Sequence, residues 1–205
     1  MYLSIKLFFL FLNIFFPIYL FGQNLNIEPF VGGQILGTSS FTANTIDYSN
    51  KVTDISVGLR LAISEGSFAF GAEGYFGEEK NIRFELEDTL HKYNVGMFLS
   101  FIGAGLIYRL TYYISANKLI KVDGNAGLGD KDDQIKGSGV GLGLGFKIWS
   151  FLQFNYDIRY MVYKEVDGLE LPTNTYSELK DLEFSFGLSF PLASWIQPGY
   201  LGEGF

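Results

Sequence analysis

From residue 23 onward the chain alternates apolar and polar side chains with a period of two, and no stretch there repeats at the helical period. Successive side chains of an extended strand point to opposite faces, so the pattern commits the chain to strands with one apolar and one polar face. The cleanest segment is LEFSFGLSFPL, where Leu182, Phe184, Phe186, Leu188, Phe190 and Leu192 share one face and Glu183, Ser185, Gly187 and Ser189 the other. LQFNYDIRYMV sets Leu152, Phe154, Tyr156, Ile158, Tyr160 and Val162 against Gln153, Asn155, Asp157 and Arg159. DISVGLRLAI, starting at Asp54, and GVGLGLGFKI, starting at Gly139, alternate in the same way. Weaker runs near 26–37, 68–77, 93–110 and 119–128 make eight strands in all, with a change of phase near 101–103 that predicts either a bulge or a misplaced strand boundary.

The connections fall into two classes. SEGS at 64–67, the step around Trp149 and Ser150, and a turn within 111–118 are short, whereas 38–51, 78–92, 129–137 and 164–181 are longer and polar. Short turns at one end and long loops at the other suit an antiparallel, up-and-down transmembrane β-barrel, and a soluble sandwich has no reason to sort its loops this way.

Alternation alone leaves open which face is inside. A lipocalin-like, ligand-binding periplasmic barrel turns its apolar face inward, and an outer-membrane barrel turns it outward. Charge selects the second. Across the eight segments Glu28, Asp54, Arg60, Glu73, Arg109, Lys121, Asp123, Lys147, Asp157, Arg159 and Glu183 all fall in the polar phase, and the apolar phase carries no charge. A Lys or Arg on the lipid face at the bilayer midplane costs about 2–4 kcal/mol, so lipid demands that absence. The signs nearly balance, as a narrow, dry lumen requires of charges that must be paired. Gly139, Gly141, Gly143 and Gly145 leave room inside, opposite Asn155, Asp157 and Arg159 once strand seven folds back through the Trp149 turn. Arg60, Glu73, Arg109, Asp157, Arg159 and Glu183 are therefore expected in the lumen, as an electrostatic plug or as the gate of a narrow pore for small solutes. Tyr108, Tyr112, Tyr113, Trp149 and Trp195 fall at the short-turn end, where an interfacial aromatic girdle belongs.

Composition narrows the function classes. Of the 205 residues 48% are apolar and 18% charged, with 25 glycines, 21 phenylalanines, 13 tyrosines and no cysteine. Disulfide frameworks, thiolate metal sites and cysteine nucleophiles are thereby excluded. A net charge of -7 argues against a nucleic-acid partner, which requires a basic face. At the N-terminus a single charge, Lys6, precedes an apolar run from Leu7 to Phe21 that ends at Gly22. Fifteen helical residues span roughly 22 Å, short of the ~30 Å hydrocarbon core, so residues 1–22 read as a secretory signal peptide rather than a membrane helix.

Residues 25–192 resemble the small eight-stranded outer-membrane β-barrels of Gram-negative bacteria, in particular the outer-membrane-protein β-barrel domain family that includes PorT-like proteins. The last strand is similar to the carboxy-terminal signal read by the barrel-assembly machinery, through Ser185, Gly187, Phe190 and Leu192, although the tail 193–205 follows it. The resemblance implies a cell outer membrane location with both termini in the periplasm. It also implies contact with outer-membrane lipid and lipopolysaccharide, assembly by that machinery, and an accessory role in secretion.

Little in the chain points to chemistry. Outer-membrane lipid A deacylases pair a histidine with a serine on one strand beside a carboxylate, but here Tyr93 stands two residues after His91, the only histidine, and its segment EDTLHKYN reads as loop. Asp130, Asp132 and Asp133 in GDKDDQIKG are the weak metal candidate, yet Ile135 and Gly141 stand where a calcium-binding EF-hand loop needs Gly and Glu. The run GSGVGLGLG alternates as a strand and cannot open the helix a dinucleotide fingerprint requires. No cofactor is expected. The stretch GEEKNIRFELEDTLHKYN keeps alternating past the membrane edge, which predicts a projecting hairpin able to meet a protein partner. The expectation is a non-enzymatic outer-membrane barrel with a structural, surface-interaction or secretion-accessory role.

Overall fold

The computed structural model describes residues 24–43, 46–122, 130–172 and 176–192; the proposed signal peptide, Asp123, Trp195 and the tail 193–205 lie outside the described residues. The strands are β1 (Asn24–Ala43), β2 (Ile46–Glu65), β3 (Phe68–Arg83), β4 (Leu86–Gly103), β5 (Leu106–Val122), β6 (Gln134–Trp149), β7 (Leu152–Val166), β8 (Leu169–Glu170) and β9 (Tyr176–Ser189). Each pairs antiparallel with its chain neighbour from β1 to β7, and β9 closes the ring between β7 and β1. The two-residue β8 pairs only with β7, so the wall is an up-and-down barrel of eight strands. Closure leaves no sheet edge for lipid to meet.

One face of every strand is apolar and points out. On the outer wall the segments 55–63, 68–76, 93–101, 106–114 and 140–148 present apolar side chains or glycine only, with Ile55 as much as 72% exposed. Such a segment matches the ~9–11 residues a tilted strand needs to cross a bilayer. Beyond this belt the outward positions turn polar at Lys51, Thr53, Glu78, Lys80, His91, Lys136, Lys164 and Lys180. The inner face carries the charges, with Arg60, Arg159, Lys92, Glu79 and Glu183 among the most deeply buried side chains. A soluble ligand-binding barrel has the opposite arrangement.

Three boundaries differ from the sequence reading. The run 93–110 is two strands, because β4 ends at Gly103 and β5 begins at Leu106 after the turn residues Ala104 and Gly105, both at positive φ. Of the two readings of the phase change near 101–103, the misplaced boundary holds and the bulge does not: the change is that turn. It carries no polar residue to mark it, and alternation resumes at once. Segment 111–118, expected as a turn, is therefore the middle of β5, and 119–122, expected to open a strand, ends it.

The long connections are also mostly strand. β1 and β2 pair out to Ala43 and Ile46, and β3 and β4 pair out to Arg83 and Leu86 across a two-residue turn at Phe84 and Glu85. The barrel wall thus continues well past the belt, and the β3–β4 hairpin stands at its far end. Inside this extension Phe41, Leu90, Ile120, Ile135, Met161, Val166 and Leu179 form an apolar core. A smaller cluster of Ala62, Ala69 and Phe98 fills the opposite end, near the short turns.

Candidate functional site, an ionic network filling the barrel

Inward side chains from seven strands build a continuous network in two layers. The deeper layer lies within the belt and centres on Arg60 of β2, which register places between Glu28 of β1 and Glu73 of β3. Arg60 Nε donates to Glu73 Oε2 at 2.8 Å, one terminal nitrogen to Glu28 Oε1 at 2.6 Å, and the other lies 3.4 Å from Asp157 Oδ2. Its guanidinium is 2% exposed and stacks 4.2 Å above the Phe30 ring. Arg109 of β5 reaches Asp157 at 3.5 Å and Glu28 at 3.7 Å.

Room for this layer comes from β6. Gly141 lies opposite Arg159 and Gly143 opposite Asp157, and a methyl group at Gly143 would collide with the Asp157 carboxylate. Tyr75 and Tyr113, edge to face at 6.0 Å, form the roof. The Tyr113 hydroxyl donates to Glu73, and Arg159 sits 4.5 Å over the Tyr75 ring. Arg159 joins the layers, reaching Asp157 at 3.4 Å and Glu183 at 3.7 Å.

The upper layer lies at the rim of the belt. Lys92 of β4 donates to Asp54 of β2, and to Glu183 of β9 at 3.1 Å, and lies 3.6 Å from Glu79 of β3. Lys118 of β5 bridges Glu79 and Asp181, and the Tyr163 hydroxyl donates to Asp181 at 2.9 Å. These two ammoniums lie among the carboxylates of Glu79, Asp181 and Glu183, so the cluster is ion-paired by the chain's own lysines. The apolar core of the extension covers it.

The six residues singled out for the lumen all lie on the inner wall, but they are half of the network. Glu79, Lys92, Lys118 and Asp181 stand in stretches that read as loops or turns. For Glu79, Lys92 and Asp181, continuing the inward phase of their strands would have found them. Lys118 points inward only because a register shift between Tyr113 and Ala116 reverses the phase of β5. Lys121, expected on the inner face, falls at a second register shift between Ile120 and Val122, where it is half-buried and without a register partner on β4.

The remaining candidates separate. Tyr108 and Trp149 face outward near the short turns, with Trp149 stacked on Phe151 at 5.8 Å. Tyr112 faces outward at mid-belt, opposite Met97 and Val140, because the β4–β5 turn precedes it by more residues than the sequence suggested. Tyr113, placed by the sequence at the short-turn end, points into the network. Asp130, Asp132 and Asp133 form an exposed turn in which Asp133 accepts a hydrogen bond from the Asp130 amide at 2.9 Å. His91 belongs to β4 rather than a loop, faces outward opposite Glu78, and meets the Phe76 ring at 5.5 Å.

No family model matches the chain, and no curated protein matches it. Solved structures do. Neisserial surface protein A is similar over 81% of this chain and 96% of its own, with a TM-score of 0.51 and 12% identity. Ail, the attachment invasion locus protein of Yersinia pestis, matches over 82% and 98%, with a TM-score of 0.50 and 12% identity. The outer membrane enzyme PagL matches over 77% and 99%, with a TM-score of 0.51 and 12% identity. These likenesses establish the fold as that of the small outer-membrane β-barrels.

Proposed function

We propose that this chain is a closed, non-conducting β-barrel of the bacterial outer membrane that presents a rigid, strand-built extension at the cell surface, in a structural or surface-interaction role without enzymatic activity. The observation that carries this reading is the filled interior. Arginine, lysine and carboxylate side chains from seven strands interlock through the belt and its rim, and an apolar core follows them. Charges paired this closely in a low-dielectric lumen form a plug, because moving any of them aside leaves its partners unpaired. Residues 1–22 would direct export across the inner membrane, the barrel-assembly machinery would insert the strands, and lipid and lipopolysaccharide would surround the belt.

Two further observations support surface presentation and the lack of enzymatic activity. Phe84, 86% exposed at the tip of the β3–β4 hairpin, keeps a positive φ of 46° that an aromatic residue rarely adopts, so a strained apolar group is held out in water. His91 sits on the outer wall between Phe76 and Glu78, with neither of them a nucleophile it could activate as a base. The test is planar-bilayer recording on the purified, refolded chain. The wild-type protein is expected to stay silent. Steady wild-type conductance that is lost in Asp157→Ala or Arg159→Ala would instead establish a pore gated by the network.

A further inference from the structure

The two layers of the network differ in charge. In the deeper layer Arg60, Arg109 and Arg159 match Glu28, Glu73 and Asp157 one for one. In the upper layer Asp54, Glu79, Asp181 and Glu183 face only Lys92 and Lys118, with Arg159 shared from below. Asp54 and Glu79 are direct register partners on adjacent strands, both pointing inward. Like charges at such a pair repel, and a buried surplus of negative charge is costly, a cost that each proton taken up by a carboxylate there reduces. Among the described residues Glu79 Oε2, Asp181 Oδ1 and Glu183 Oε2 are buried with no hydrogen-bond donor.

We propose that the upper layer holds a neutralising proton on Glu79, and that losing this proton loosens the extension above it. The titratable and charged groups that face Glu79 are Asp54 from β2, Lys92 and the buried Asp88 from β4, Lys118 from β5, Arg159 and Tyr163 from β7, and Asp181 and Glu183 from β9. β1 and β6 contribute no charge there. Carboxylate oxygens of Glu79, Asp181 and Glu183 lie within 4.8 Å of one another and Asp54 is the register partner of Glu79, so a proton on Glu79 relieves its pairs with all three together. It lies beyond the belt, between the exposed Glu78 and Lys80. Burial pushes its carboxyl up to about 7, against the pull of Lys118 and Lys92. A carboxyl raised from 4.5 in this way contributes stability that is complete below 4.5 and is lost as the pH rises through about 7.

The experiment is infrared spectroscopy of the refolded barrel in lipid, paired with urea unfolding. Between about pH 5 and about pH 8 the wild-type spectrum should contain a protonated-carboxyl band that titrates away near neutrality, and the unfolding midpoint should fall over the same interval. Glu79→Gln should lose both the band and the pH dependence. Should that variant not fold, denaturing the wild-type chain in unbuffered solution near pH 6 should release about one proton per chain. A wild-type spectrum without the band above about pH 5.5, a band that persists in Glu79→Gln, or no proton release overturns the proposal.

Discussion

Arg60 shows how much one buried ion can be asked to hold. Three carboxylates from three strands converge on it, and it has almost no contact with solvent. Removing one member of such a group leaves the others charged and unpaired, which costs about 3–5 kcal/mol in comparable buried pairs. Arg60→Ala should therefore lower stability by about that amount, read as an earlier midpoint in urea unfolding in lipid vesicles. Lys80 is the control. It meets Glu87 at 2.7 Å in full solvent, and Lys80→Ala should leave the midpoint where it is. Equal midpoint shifts in the two variants would mean that the lumen is wet. The same contrast explains which charges were legible beforehand. Arg60 falls within a strictly alternating run and Glu73 within a weaker one joined to it by a short turn, whereas Glu79, Lys92 and Asp181 fall within polar stretches that resemble solvent-facing loops.

At the scale of elements, β6 carries the clearest consequence. Gly137, Gly139, Gly141, Gly143 and Gly145 face inward and let β5 and β7 project large side chains across the lumen. Their tolerance to a methyl group differs with what it would meet. At Gly143 it would meet the end of the Asp157 side chain, which can shift at some cost to its ion pairs, and at Gly137 the Val162 carbonyl and the Tyr163 backbone, which cannot move without breaking the strand pairing. Gly137→Ala should thus impair folding more than Gly143→Ala, scored by the folded fraction on unheated gels. The reverse order would contradict the described register of β6 on β7.

Element boundaries also show where sequence reasoning reached its limit. Strands β2, β6, β7 and β9 were legible because each alternates strictly between turns rich in polar residues or marked by a tryptophan. β4 and β5 ran together because the residues joining them, Gly103, Ala104, Gly105 and Leu106, interrupt the pattern without a polar signal. The extension was hidden for a different reason. Beyond the membrane a strand no longer needs an apolar outer face, so alternation weakens although pairing continues.

At the scale of the whole molecule the account depends on one inversion: apolar side chains meet lipid and ions fill the centre. The belt, the plugged lumen, the surface extension and the proton on Glu79 all presuppose it. The measurement that tests it most directly is a spin-label scan along β2 in lipid vesicles, made straightforward because the chain has no cysteine. Labels at 55, 57, 59 and 61 should be accessible to membrane-dissolved oxygen, and labels at 56 and 62 should be shielded from both oxygen and a water-soluble nickel complex. Oxygen accessibility in the opposite phase, or no alternation along the strand, would contradict the account.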